Sequence, residues 1–109
     1  MKQYKIKITP YANEQLKEIR DYIAKQLLNP GAARNTILAI RKEVGSLNKM
    51  PDRLRPVDEE PWGSRGVRKI VVKNYYAYYW INEASLTVHV TAVAYAKRDQ
   101  TNVLKQIRE

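Results

Sequence analysis

Arg65-Gly-Val-Arg-Lys-Ile-Val-Val-Lys-Asn-Tyr-Tyr-Ala-Tyr-Tyr-Trp-Ile81, a turn at Asn82 to Ser85, and Leu86-Thr-Val-His-Val-Thr-Ala-Val-Ala-Tyr-Ala-Lys-Arg98 form the stretch that decides the fold. β-Branched and aromatic residues dominate it, and its polar breaks fall where hairpin turns belong. Lys73-Asn74 reads as a short loop whose Asn accepts a positive φ, and Asn82 to Ser85 as a longer one. The expectation is a three-stranded antiparallel meander over 67–73, 75–81 and 86–95.

Alternation divides each strand into two faces. Ile70, Val72, Ala77, Tyr79, Ile81, Leu86, Val88, Val90 and Ala92 make an apolar face suited to a core. Lys69, Val71, Tyr76, Tyr78, Trp80, Thr87, His89 and Thr91 make a mixed aromatic and basic face, where function is expected.

Upstream, Tyr4, Ile6 and Ile8 alternate with Lys5 and Lys7 as a half-buried strand. Thr9-Pro10 opens a helix, with Thr as N-cap and Pro at the first helical position. Ala12, Leu16, Ile19, Ile23 and Leu27 form one apolar stripe over helix 11–28. Asn29-Pro30-Gly31 separates it from helix 32–49, striped by Ala33, Ile37, Ile40, Val44 and Leu47. Helices joined by so short a turn are antiparallel neighbours. Each has a single stripe, so the pair packs on the sheet. Residues 50–64 carry Pro51, Pro56, Pro61 and an acidic triplet, a solvated loop in which Trp62 tucks against the core edge. Asp99 caps a short final helix with Val103, Leu104 and Ile107 on its apolar strip. The fold class is α+β, ordered β-α-α-β-β-β with a terminal helix, a helical hairpin on one face of a small, mainly antiparallel sheet.

With 109 residues, 44% hydrophobic and 28% charged, the expectation is a single globular domain over 1–109. There is no cysteine, which excludes disulfides, thiolate metal sites and cysteine nucleophiles, and a single histidine argues against a histidine metal site. No metal or cofactor is expected. Neither a signal-peptide core nor a membrane-length apolar run is present in the sequence, so the expected location is cytoplasmic with no membrane partner. The net charge of +9 points to an acidic partner, nucleic acid or protein. Within the first helix Glu14, Glu18 and Asp21 offset Lys17, Arg20 and Lys25, so the excess gathers on the sheet and its flanks.

The order of these pieces resembles toxins of the bacterial RelE/ParE superfamily. The resemblance is carried by Ile8-Thr-Pro-Tyr-Ala-Asn-Glu-Gln-Leu, Asn29-Pro-Gly-Ala-Ala, Arg68-Lys-Ile-Val-Val-Lys-Asn-Tyr, the later tyrosine pair and Ala94-Tyr-Ala-Lys-Arg-Asp. It implies a growth-inhibiting toxin of a type II toxin–antitoxin module of the plasmid-stabilisation type, neutralised by a cognate acidic antitoxin. The target is DNA gyrase if the chain is ParE-like. It is ribosome-bound messenger RNA, cut by a metal-independent endoribonuclease (an mRNA interferase), if the chain is RelE-like. A non-toxic basic nucleic-acid-binding module is a further reading of the charge.

RelE-like toxins place lysines on the second strand, an arginine on the third, an arginine closing the fourth and a tyrosine beyond it. Here Lys69 and Arg98 match, whereas Val71, Tyr76 and Leu104 stand at the other positions. Tyr95, Tyr78 and His89 are the substitute proton carriers if RNA is cut, with Tyr76 a further candidate beside Lys69 and Arg98. The missing cation and tyrosine lean the reading toward the ParE branch. The residues expected to bind target or antitoxin are Arg65, Arg68, Lys69, Lys73, Tyr76, Tyr78, Lys97 and Arg98.

Overall fold

The computed structural model describes residues 2–107. Strand β1 (Lys5–Ile8) leads into helix α1 (Pro10–Asp21), a π-helical turn (Tyr22–Gln26) and helix α2 (Pro30–Gly45). Short 3-10 turns follow at Ser46–Asn48 and Pro51–Arg53, then β2 (Arg68–Val72), β3 (Tyr75–Asn82), β4 (Thr87–Tyr95) and helix α3 (Gln100–Lys105). The strands form one sheet ordered β1-β4-β3-β2, antiparallel except for the β1–β4 pair.

The helix starts follow from their caps. The Ala12 N–H donates to Thr9 Oγ1 at 3.2 Å, the Ala32 N–H to Asn29 Oδ1 at 3.0 Å and the Asn102 N–H to Asp99 Oδ1 at 3.3 Å. Each bond satisfies one of the amides that a helix N-terminus leaves unpaired. Their ends are less regular than the stripes imply. The π-helical turn rotates the chain after Ile23, so Leu27 leaves the apolar stripe and lies 56% exposed. Leu28 then reverses the chain at φ 51, a conformation more often taken by Gly or Asn.

The main core lies between the hairpin and the sheet. Leu16, Ile40, Val44 and Leu47 meet Ile70, Val72, Ala77, Tyr79, Val88, Val90 and Val93. The Tyr79 hydroxyl donates to the Pro51 carbonyl at 2.7 Å, which ties the loop after α2 to the middle of the sheet.

Strict alternation fails in β4. Tyr78 pairs with Ala92 while Tyr79 pairs with Val90, which leaves Thr91 as the extra residue of a β-bulge. Beyond it the faces exchange. Ala92, expected in the main core, belongs to the opposite face, and Val93 takes the core position. Leu86, also expected on the core face, lies in the β3–β4 turn at φ 49, outside β4. In the β2–β3 turn the positive φ falls on Lys73, at 54°, rather than on Asn74.

The opposite face is not open along its whole length. Val57, Val67, Tyr78, Ala92, Ala94, Val103 and Leu104 build a second core there, with Trp62, Tyr76 and Ile107 packed against it. Helix α3 and the loop before β2 thus cover that half of the sheet. The loop approaches itself at Gly63, where any Cβ would run into the Val57 carbonyl.

Candidate functional site

The second core removes one expected contact residue from the surface. Tyr78 is 0% exposed, and its hydroxyl donates to Gln100 Oε1 at 2.6 Å. Burial, reinforced by the Glu59 charge and Tyr76, pushes its phenol well above the usual tyrosine range. It is a structural residue with no face offered to a partner, contrary to the expectation from alternation.

Gln100, which no sequence signal singles out, organises the end of β4. Its Nε2 donates to the carbonyls of Tyr95 at 3.0 Å, Ala96 at 3.1 Å and Arg98 at 2.7 Å. The Arg98 N–H donates to the Tyr95 carbonyl at 3.1 Å, and the Ala96 N–H to the Asn74 carbonyl at 2.8 Å. The turn carrying exposed Lys97 and Arg98 is therefore held both to α3 and to the β2–β3 turn.

That turn borders a cleft of about 650 Å³ between the hairpin and the sheet. Ile19, Tyr22, Ile23 and Leu27 supply one wall, and Tyr75, Val93 and Tyr95 the other. Tyr75 and Tyr95 meet edge to face, with ring centroids 5.7 Å apart. Lys73 and Arg98 stand at the cleft, and among the described residues neither has a carboxylate within ion-pair distance. Exposed Tyr22, Leu27 and Leu28 extend the apolar surface to the hairpin tip. The cleft thus joins apolar walls to two exposed cations, and exposed Glu18 lines it as well.

The other expected residues lie elsewhere. The Lys69 ammonium sits 4.2 Å from the centroid of the Tyr76 ring, on the sheet face opposite the hairpin. His89 stacks on Trp80, with centroids 4.5 Å apart and planes 14° from parallel, and Lys7 is its neighbour on β1. Arg68 is half-buried, and its guanidinium donates to the carbonyls of Asp52 and Leu54, so it clasps the loop. Arg65 is exposed in the turn before β2. The candidate RNA-cleaving residues thus fall into three places: Lys69 with Tyr76, His89 with Trp80, and Tyr95 with Arg98 at the cleft. Among the described residues no group of three or more His, Asp or Glu gathers as a metal site, and no helix is long and apolar enough to cross a membrane.

A helical hairpin packed on a small mixed sheet is the α+β fold of the RelE/ParE toxins. The chain belongs to the ParE toxin family, described as the ParE toxin of the type II toxin–antitoxin system parDE, which matches residues 6–100. Its fold is similar to that in the chromosomal ParDE toxin–antitoxin system of P. aeruginosa, with a TM-score of 0.72 at 18% identity over 87% of this chain and 98% of that one. The RelBE2 toxin–antitoxin complex of Mycobacterium tuberculosis gives 0.62 at 20% identity, covering 85% and 98%. A mutant of the E. coli toxin RelE in the free state gives 0.61 at 18%, covering 97% and 99%. No curated protein matches the chain in sequence.

Proposed function

We propose that this toxin inhibits growth by acting on DNA gyrase, and that a cognate acidic antitoxin holds it inactive by occupying the cleft beside Lys73 and Arg98. The observation that carries the choice of target is the dispersal of the candidate nuclease groups. Cleavage by a 2′-hydroxyl needs base, acid and cation within hydrogen-bond reach of one phosphate. Lys69 lies over Tyr76 on one face of the sheet, whereas Arg98 and Tyr95 line a cleft on the hairpin side. A site built for binding does not need that convergence. Arg98, Lys73 and Lys97 are the residues assigned to contact, with Arg65 at the loop edge. The Lys69–Tyr76 pair, together with Arg98 at a RelE-like position, favours the alternative, a RelE-like cut in ribosome-bound messenger RNA. Induced expression in a sensitive host, with translation and DNA supercoiling followed side by side, tests the assignment. Loss of supercoiling before translation slows supports it, and an immediate stop of translation at normal supercoiling overturns it.

A further inference from the structure

The half of the outer sheet face that α3 leaves uncovered carries a large aromatic side chain that neither core uses. Ile6 and Ile8 pack toward the hairpin, so exposed Lys5 and Lys7 project from β1 to the other side. Strand register sets Lys7 beside His89 and His89 beside Trp80, a row across three strands, with Lys5, Thr87 and Asn82 in the next. Trp80 and His89 are half-buried and belong to neither hydrophobic cluster. Each ring gives one face to the other, and among the described residues no third ring stacks on the pair and no cation sits over Trp80. Among the same residues Lys5 and Lys7 have no carboxylate within ion-pair distance. Glu83, next in sequence to this row, is held instead by Tyr4 and Lys2.

We propose that this row binds unpaired DNA, with a base added to the Trp80–His89 stack and neighbouring phosphates on Lys5 and Lys7. Stacking accepts any base, and lysines that track a backbone supply an attraction independent of sequence. Lys5 and Lys7 lie about 6.6 Å apart along β1, close to one nucleotide step of an extended chain. Neighbouring strands are about 4.8 Å apart, so Lys7 stands about 10 Å from Trp80 in the plane of the sheet, a gap that a nucleotide and a lysine side chain span together. An acidic protein segment is a poorer occupant, because it would pair with the lysines without using two parallel rings. The row is separate from the cleft at Lys73 and Arg98, which opens on the hairpin side. Only the choice of DNA over RNA rests on the gyrase reading.

The test uses the full chain and a labelled oligothymidylate of about 15 nucleotides, the footprint of one small domain. Saturable binding is expected by anisotropy, with the Trp80 indole N–H and the amides of Lys5 to Ile8 shifting in NMR spectra. Trp80→Ala should bind about tenfold or more weakly, and Trp80→Phe, which keeps a ring, should lose less. Lys5→Gln with Lys7→Gln should flatten the slope of log affinity against log salt by about 1.4, the share of two phosphate contacts. The same charge change at exposed Lys25 and Lys42 on the hairpin should leave that slope and the indole shift as they were. Should Trp80→Ala lower the unfolding temperature, the lysine variants and the indole shift decide alone. The proposal fails if the oligonucleotide does not bind, if both lysine pairs change the slope equally, or if the shifts centre on Lys73 and Arg98. Tighter binding of oligouridylate, duplex DNA or anionic vesicles also overturns it. No gyrase is present, so failure here is distinct from failure of the gyrase reading.

Discussion

The Gln15 side-chain oxygen accepts a buried hydrogen bond from the Val93 N–H at 2.7 Å, linking α1 to β4 two residues beyond the bulge at Thr91. A bulge disturbs the ladder and re-aims the strand after it. Gln15 satisfies the re-aimed amide from the helix, and Val93 turns into the core. The aromatic wall of the cleft, including Tyr95, follows from that exchange of faces.

Replacing Gln15 by Leu keeps the volume but orphans the Val93 N–H. Stability should fall by about 1–3 kcal/mol, the cost of an unpaired buried amide. Urea unfolding of the two proteins measures it. Equal midpoints would mean that Val93 finds another partner.

Ile40 and Leu38 sit two residues apart on α2 with opposite burial, 1% against 58% exposed. Ile40→Ala should cost about 2–5 kcal/mol through lost burial and a residual cavity. Leu38→Ala should stay within about 0.5 kcal/mol. A loss below that limit at Ile40 would contradict the packing of the hairpin on the sheet.

Alkaline stability should be governed by buried tyrosines. Burial pushes the Tyr79 phenol up to about 12 from 10.0, against the opposing pull of Arg68 and Arg53. Below pH 10 both folded and unfolded states keep the proton, and the contribution is complete. Between pH 10 and about 12 only the unfolded state ionises, so stability falls by about 1.4 kcal/mol per pH unit from this group. Tyr78, raised in the same direction, steepens the loss. Denaturant titrations at stepped pH should show the decline, and Tyr79→Phe should flatten it.

Because Gln100 holds the Tyr95 to Arg98 turn through three carbonyls, Gln100→Ala should loosen Arg98 with little effect on the main core. Affinity for an acidic antitoxin peptide should drop several-fold in this variant, and about tenfold or more in Arg98→Glu. For the unaltered chain, affinity should fall as salt rises, since Lys73 and Arg98 are exposed and screened. Calorimetry across a salt series checks all three, and salt-independent binding would remove the cleft cations from the contact.

Much of this architecture was legible in the chain. Thr9, Asn29 and Asp99 announce the three helices, because a cap is a local hydrogen bond that depends on few neighbours. The valine and tyrosine runs announce the meander. The bulge was hidden because Thr91-Ala-Val-Ala offers small or apolar side chains on both parities, so alternation does not resolve which of Ala92 and Val93 faces the hairpin. Tyr78 looked solvent-facing for a related reason. Its cover comes from Val57, Val67 and α3, which meet only in the folded chain. Gln100 reads as an ordinary polar residue at a helix start, and its role emerges only when four partners converge on it. The charges were legible as a total; their division between a cleft and the Lys69–Tyr76 pair was not.

Supercoiling by purified DNA gyrase, with the unaltered chain and with Arg98→Ala, tests the central claim most directly. The chain should inhibit supercoiling, and Arg98→Ala should lose most of that inhibition while unfolding at the same temperature. Uninhibited gyrase, together with codon-phased cuts in ribosome-bound messenger RNA that Arg98→Ala abolishes, would contradict the account.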